Sequence, residues 1–129
     1  MTSDVAASGA ARWFLFVGAL NAFVVVAAGA YGAHALKGEA TNEQFALFQT
    51  AVQYHLFHSL GLLVVGTVLR WRRSAAFMWA GALMLVGIAA FCGSLYVAAL
   101  TGYRLGVAPL GGTAFMAAWL TFAVAALRS

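Results

Sequence analysis

Long uninterrupted runs of apolar residues alternate with short polar segments along the chain. Four such runs cover residues 13–33, 51–69, 74–100 and 107–127, and none contains a charged side chain. Each run approaches or exceeds the ~20 residues that an α-helix needs to cross a hydrocarbon core of ~30 Å. Membrane strands would instead show stretches of about 10 residues that alternate apolar with polar positions. The pattern therefore predicts an all-α membrane protein, a four-transmembrane-helix bundle that forms a single membrane domain over residues 1–129.

Composition excludes the main alternative, a soluble globular domain. The chain of 129 residues is 64% hydrophobic and 8% charged, whereas ordinary soluble domains are roughly 45–50% apolar and about 25% charged. So few charges cannot cover a surface that faces water, so most of the outer surface is expected to face lipid.

The polar segments between the runs carry signals for helix ends. Thr41 and Gln44 fit a capping box, in which a hydroxyl and an amide three residues later satisfy free N–H groups at a helix start. The second helix is therefore expected to begin near Asn42, either as a separate interfacial helix or as an unbroken extension of the run over 51–69. Pro109 fits the first turn of the fourth helix, where its missing N–H costs nothing.

The distribution of basic residues predicts the orientation. With four spans, the N-terminus, the second loop and the C-terminus lie on one side of the membrane, and the other two loops lie opposite. The first side carries five Lys or Arg residues and the other carries only Lys37 and Arg104. By the positive-inside rule, both termini are expected in the cytoplasm (N-in, C-in), and the expected location is a bacterial inner (plasma) membrane.

Charge and cysteine content exclude several kinds of partner. The net charge of +4 comes from basic residues scattered at the ends of apolar runs, unlike the basic faces that bind nucleic acid. No nucleic-acid partner is therefore expected. Cys92 is the only cysteine, so it has no partner for a disulfide or for a cysteine-based metal site.

Polar residues gather near one end of the predicted bundle, in the outer leaflet under the orientation above. The candidate cluster or ligand-binding residues are Tyr31, His34, Tyr54, His58, Ser94 and Tyr96. Helical spacing places Tyr54, His58 and Gly61 within about 60° of one another, so this face of the second helix is expected to point into the bundle. The cluster is either a hydrogen-bonded joint between helices or a pocket for a small molecule, lipid or metal.

A metal or haem site is the less favoured form of that pocket. His34, His55 and His58 could supply three imidazoles, the number that holds zinc in some catalytic sites. However, His55 lies about 60° around the helix from His58, and the nearest carboxylates, Glu39 and Glu43, fall in the first loop. We therefore predict no metal and no cofactor.

Small residues predict close helix contacts. Membrane helices approach each other at glycine and alanine, and the candidate packing glycines are Gly29, Gly32, Gly61, Gly93, Gly111 and Gly112. Asn21 lies near the middle of the first run, where an amide is expected either to bond across to another helix or to line a polar path.

The order and spacing of several motifs resemble a known family. Gly29-Ala-Tyr-Gly-Ala-His34, Tyr54-His-Leu-Phe-His58, Gly93-Ser-Leu-Tyr96, Pro109-Leu-Gly-Gly112 and Trp119 resemble domain-of-unknown-function family 423. This family comprises YgdD-like small bacterial inner-membrane proteins and is related to eukaryotic transmembrane protein 256. The resemblance implies four membrane helices and no established activity. Tyr31 stands where members usually have Phe, and His55 stands where they usually have Gln.

These patterns favour a function based on association. No nucleophile, base and oxyanion donor can be assembled, so no enzymatic activity is expected. The first expectation is a structural or accessory component that contacts membrane lipid and acts as a homo-oligomer or within a larger membrane complex. The alternative is a binding or transport protein with an outer-leaflet pocket around His34, Tyr54 and His58.

Overall fold

The computed structural model describes residues 2–128, with side chains described from residue 9 onward. The helices are α1 (Thr2–Tyr31), α2 (Asn42–Trp71), α3 (Ala75–Gly87), α4 (Gly93–Thr101) and α5 (Ala108–Arg128). A π-helical turn, Gly32–Leu36, extends α1, and a second, Ile88–Cys92, joins α3 to α4. The described residues form four helical stretches long and apolar enough to span a membrane: Gly9–Leu36, Asn42–Trp71, Ala75–Thr101 and Ala108–Arg128. The predicted all-α class with four candidate spans is confirmed.

The second helix is one continuous rod that starts at the predicted cap. The Thr41 hydroxyl accepts a hydrogen bond from the Gln44 N–H, and the Gln44 side chain accepts one from the Thr41 N–H, each at 3.1 Å. The helix then runs unbroken from Asn42 to Trp71. Its 30 residues correspond to about 45 Å, so residues 42–50 are an extension of the membrane helix and not a separate interfacial helix.

The two ends of the bundle differ in their connections. The loop end carries residues 37–41 and 102–107, while the terminal end carries the start of α1, the end of α5 and the short turn of residues 72–74. At the loop end, α4 stops at Gly102, whose φ of 78° is the left-handed conformation that commonly ends a helix. An exposed ion pair between Arg104 and Glu43 links the last loop to the start of α2.

The helices pack side by side in an order that leaves a gap between α2 and α5. α1 lies along α2, α2 contacts α3 and α4, and α5 rests mainly on α3 and the second π-helical turn rather than on α2. The main core lies towards the terminal end and includes Leu62, Val65, Phe77, Met84 and Ala118. Close α3–α5 packing with little α2–α5 packing opens a space between α2 and α5 towards the loop end.

Only some of the predicted packing glycines lie at close contacts. A Cβ at Gly111 would lie 2.3 Å from the backbone nitrogen of Phe91, and Cβ atoms at Gly32 and Gly61 would lie 2.8 Å from Phe48 and 2.9 Å from Met84. Gly112 has an ordinary contact with Phe91. The expectation for Gly29 and Gly93 needs correction: nothing lies within 4 Å of a Cβ at Gly29, and only the Ile88 carbonyl oxygen reaches 4.0 Å at Gly93. No neighbouring helix approaches either position closely.

Candidate functional site

The buried face of α2 carries both membrane histidines. Its buried positions recur at spacings of three and four: Phe48, Ala51, His55, His58, Leu62, Val65 and Leu69. His55 is 5% exposed and His58 is 3% exposed, whereas Tyr54 is 43% exposed. Of the face expected to point into the bundle, His58 and Gly61 are buried. The expectation for Tyr54 is corrected, because the buried stripe follows residues 51, 55 and 58 and so includes His55 in its place.

His55 joins three helices. Its Nδ1 lies 3.0 Å from the hydroxyl oxygen of Tyr96 on α4, and its Nε2 lies 2.8 Å from Oδ1 of Asn21 on α1. The Asn21 Nδ2 group donates to the Val17 carbonyl at 2.8 Å. The predicted bond from Asn21 to another helix is thus confirmed, and its partner is His55.

The donor and the acceptor of each hydrogen bond around His55 can be assigned. Because the Asn21 Nδ2 group faces a carbonyl oxygen, its Oδ1 faces His55 and can only accept. His55 Nε2 therefore donates. Because His55 is buried and burial disfavours the charged ring, the imidazole is neutral, and its Nδ1 accepts from the Tyr96 hydroxyl. The resulting series of hydrogen bonds runs from Tyr96 through His55 to Asn21 and then to a backbone carbonyl of α1. Both ring nitrogens of His55 take part in it.

His58 joins α2 to α5 through a second set of bonds. The indole N–H of Trp119 donates to His58 Nε2 at 3.0 Å, and His58 Nδ1 lies 2.7 Å from the Tyr54 carbonyl oxygen. An indole can only donate, so Nε2 of His58 accepts and Nδ1 carries the proton. The imidazole also stacks on Phe115 with centroids 3.5 Å apart and an angle of 10° between the rings.

The two histidines therefore hold opposite neutral tautomers and offer no free lone pair. A metal ligand needs an unprotonated nitrogen that is not already accepting a hydrogen bond. The unprotonated nitrogen of each ring already accepts a hydrogen bond: His55 Nδ1 accepts from Tyr96, and His58 Nε2 accepts from Trp119. Among the described residues, no group of three His, Cys, Asp or Glu side chains is placed to hold a metal ion.

The remaining sequence-predicted residues are dispersed rather than gathered. His34 is exposed at the loop end and lies outside both hydrogen-bond sets. Tyr31 touches the network only indirectly: its ring lies 6.0 Å from Phe48, which in turn lies 5.4 Å from the Tyr96 ring. Ser94 is buried, and within residues 9–128 its hydroxyl has no hydrogen-bond partner. The single cluster expected from the sequence is replaced by two separate joints, around His55 and around His58.

An open groove lies beside the second joint. It encloses about 1530 Å³ between the middle of α2 and the loop-end half of α5. Phe57, Met116 and Leu120 are 60%, 69% and 70% exposed and line it together with Phe91 and Pro109. The groove therefore opens sideways towards the bilayer and is predominantly apolar.

Three residues of the two joints were missing from the predicted cluster, although a feature of each residue could have pointed to its role. His55 falls on the buried heptad stripe of α2. Asn21 needs an acceptor or donor in hydrocarbon. Trp119 carries an indole N–H that requires a partner when it lies deep in a membrane, and an acceptor at matching depth was present in His58.

The fold and this site define a polytopic helical membrane protein whose polar groups serve as joints between helices. Comparison with known proteins identifies its family. The family model described as "Protein of unknown function (DUF423)" matches residues 28–112, which is more than half of the chain. The chain belongs to this family of membrane proteins, for which no activity is established.

Similar proteins occur in distant bacteria. The chain is 40% identical over 117 residues to UPF0382 membrane protein SERP0230 of Staphylococcus epidermidis, covering 89% of this chain and 95% of the relative. It is 39% identical over 118 residues to UPF0382 membrane protein YwdK of Bacillus subtilis, covering 89% and 96%. It is 36% identical over 119 residues to UPF0382 inner membrane protein YgdD of Escherichia coli K12, covering 91% of each. No solved structure matches the chain.

Replacing Tyr96 with Phe tests the first joint. The Tyr96→Phe variant keeps the ring but removes the hydroxyl donor to His55, so we expect the free energy of unfolding to fall by about 0.6 kcal/mol, the average for a membrane hydrogen bond. Unfolding in mixed micelles measures this change. Tyr103→Phe is the matched control, since Tyr103 is exposed in the last loop. Equal stability of the two variants would contradict the joint.

Proposed function

We propose that the protein binds the hydrocarbon chain of a membrane lipid in the groove between α2 and α5. The observation that carries the proposal is the depth of this groove. On α5 its lining extends from Ala108 to Leu120, which is about 18 Å along the helix axis. One leaflet contributes about half of the ~30 Å hydrocarbon core, so the groove is as deep as a single leaflet.

The shape of the groove favours a lipid chain over a partner helix. A transmembrane helix needs a contact surface across both leaflets, whereas this groove ends at the level of Trp119 and Leu120. Its lining of phenylalanine, methionine and leucine suits a flexible hydrocarbon chain, because such side chains gain dispersion contacts with it. Gln53 and Thr113 supply polar groups part-way down the lining.

The leaflet follows from the proposed orientation. Arg70, Arg72 and Arg128 lie at the terminal end of the bundle, and the positive-inside rule supports a cytoplasmic location for that end. The loop end and the groove then belong to the outer leaflet. Homologues named as membrane proteins, and one named as an inner membrane protein, support the bacterial inner membrane as the location.

The orientation is testable with C-terminal fusions in a Gram-negative host. We expect a fluorescent protein at the C-terminus to fold and fluoresce, and alkaline phosphatase at the same position to be inactive, because the C-terminus is cytoplasmic. A fusion of each reporter within residues 102–107 should give the opposite result. Active phosphatase at the C-terminus would reverse the orientation and move the groove to the inner leaflet.

A groove-filling substitution tests lipid binding. Gly112 lines the groove, and a Cβ there meets only Phe91, at 3.9 Å, so Gly112→Leu places a side chain in the groove without a backbone clash. We expect native mass spectrometry of protein purified in gentle detergent to show several-fold less retained lipid per chain. Gly29→Leu is the matched control, because nothing lies within 4 Å of a Cβ at Gly29.

The same preparation separates the second candidate function, an accessory role by protein association. That role is supported by the outward face of α1, where Trp13, Phe16 and Phe23 are strongly exposed. A defined oligomer or a stoichiometric companion protein, with equal lipid retention in the Gly112→Leu and Gly29→Leu variants, would favour association and contradict lipid binding. Lipid-loaded wild type with loss on Gly112→Leu supports the proposal.

A further inference from the structure

Trp119 crosses the gap between α5 and α2 at the deep end of the groove. Its indole nitrogen reaches His58 on α2 at 3.0 Å, and its Cζ2 atom lies 3.3 Å from the position of a Cβ at Gly61. The absence of a side chain at Gly61 lets the ring reach the surface of α2. The indole therefore bridges two helices that otherwise pack little against each other.

Closely packed core lies on the far side of this ring. Leu62, Met84 and Ala118 are fully buried, and the Met84 sulfur lies 2.9 Å from the same Cβ position at Gly61. On the near side, Trp119 and Leu120 are the deepest residues of α5 in the groove lining. The indole of Trp119 thus separates the open groove from the filled core and forms the end wall of the groove.

The orientation of the ring is held from several sides. His58 is itself fixed by the Tyr54 carbonyl and by stacking on Phe115, so the acceptor that meets the indole N–H has little freedom. Phe57 and Phe122 contact the ring with centroids 5.5 and 5.9 Å away. A side chain so constrained forms a wall of constant position.

We propose that Trp119 is the specificity-determining residue that sets the maximum length of the lipid chain in this groove. His58 is a positioning residue, because it acts on the bound chain only through the indole. This inference rests on the proposed lipid binding. A chain that continues in line beyond the ring would have to displace either the His58–Trp119 bond or the core around Met84. A longer chain must therefore turn out of the open side of the groove and lose its contacts with the lining, and shorter chains leave part of the groove unfilled.

The test measures binding of lysophosphatidylglycerols with saturated chains from lauroyl to arachidoyl, by native mass spectrometry of the full-length protein in detergent. Wild type is expected to show a sharp upper limit of chain length. Trp119→Ala should raise that limit by roughly four carbons, since removing the indole frees about one helical turn, ~5.4 Å, along α5. Trp79→Ala is the matched control, because Trp79 is an exposed tryptophan on α3 outside the groove.

Three further variants separate the contribution of the Trp119 ring from that of its hydrogen bond to His58. Trp119→Phe keeps a ring but cannot donate to His58, and His58→Leu removes the acceptor; both should blur the upper limit. His58→Gln keeps an acceptor at this position and should restore much of the sharpness. A purely structural role of His58 would change stability without changing the chain-length profile.

The outcomes of the two proposals are distinct. If wild type binds no lysolipid of any length, the proposed function fails. If wild type binds and Trp119→Ala keeps the wild-type limit, lipid binding stands and the role of Trp119 is overturned. Should Trp119→Ala fail to fold, Trp119→Phe decides: a limit as sharp as that of wild type contradicts the inference, and a blurred limit supports it.

Discussion

The structure depends on one constraint, the cost of an unpaired polar group in hydrocarbon. No water is available in the bilayer core, so each imidazole, amide, phenol and indole N–H there needs a partner within the protein. The chain satisfies this constraint twice on one face of α2. His55 connects α2 to α1 and α4, and His58 connects α2 to α5. The helix that carries both histidines is therefore the central element of the bundle.

The same constraint explains why the accessible groove is apolar. The nitrogens of His58 are turned inward to Tyr54 and Trp119, and its ring face is covered by Phe115. The surface that remains for a bound lipid chain is mostly hydrocarbon and aromatic, with polar groups from Gln53 and Thr113. A site built this way selects by shape and length more than by hydrogen bonding, which distinguishes it from a polar catalytic or metal centre.

The sequence predicted the fold well because its strongest signal is composition. Uninterrupted apolar runs determine the number of spans, and the capping box at Thr41 and Gln44 marks the start of α2. The site was predicted less well because it depends on helix rotation and on contacts distant in sequence. Tyr54 and His55 lie about 100° apart around the helix, so the rotation of α2 about its axis decides which of them is buried. The π-helical turn at Ile88–Cys92 shifts the register of Ser94 and Tyr96 in a way that no residue pattern indicates. The hydrogen bond between Trp119 and His58 joins residues 61 positions apart. Its geometry depends on the packing of α5 against α3, which the sequence does not specify.

The central claim is that both buried histidines are neutral and hold opposite tautomers because every ring nitrogen has a partner, three of them on neighbouring helices and one, Nδ1 of His58, at the Tyr54 carbonyl of α2 itself. Nitrogen-15 solid-state NMR of the histidine-labelled protein in lipid bilayers tests this claim most directly, with His55→Gln and His58→Gln variants to assign the signals. The account predicts a proton on Nε2 of His55 and on Nδ1 of His58, each as a single species, with exposed His34 distinct from both. Mixed tautomers, a charged ring at neutral pH, or the same tautomer at both positions would contradict it.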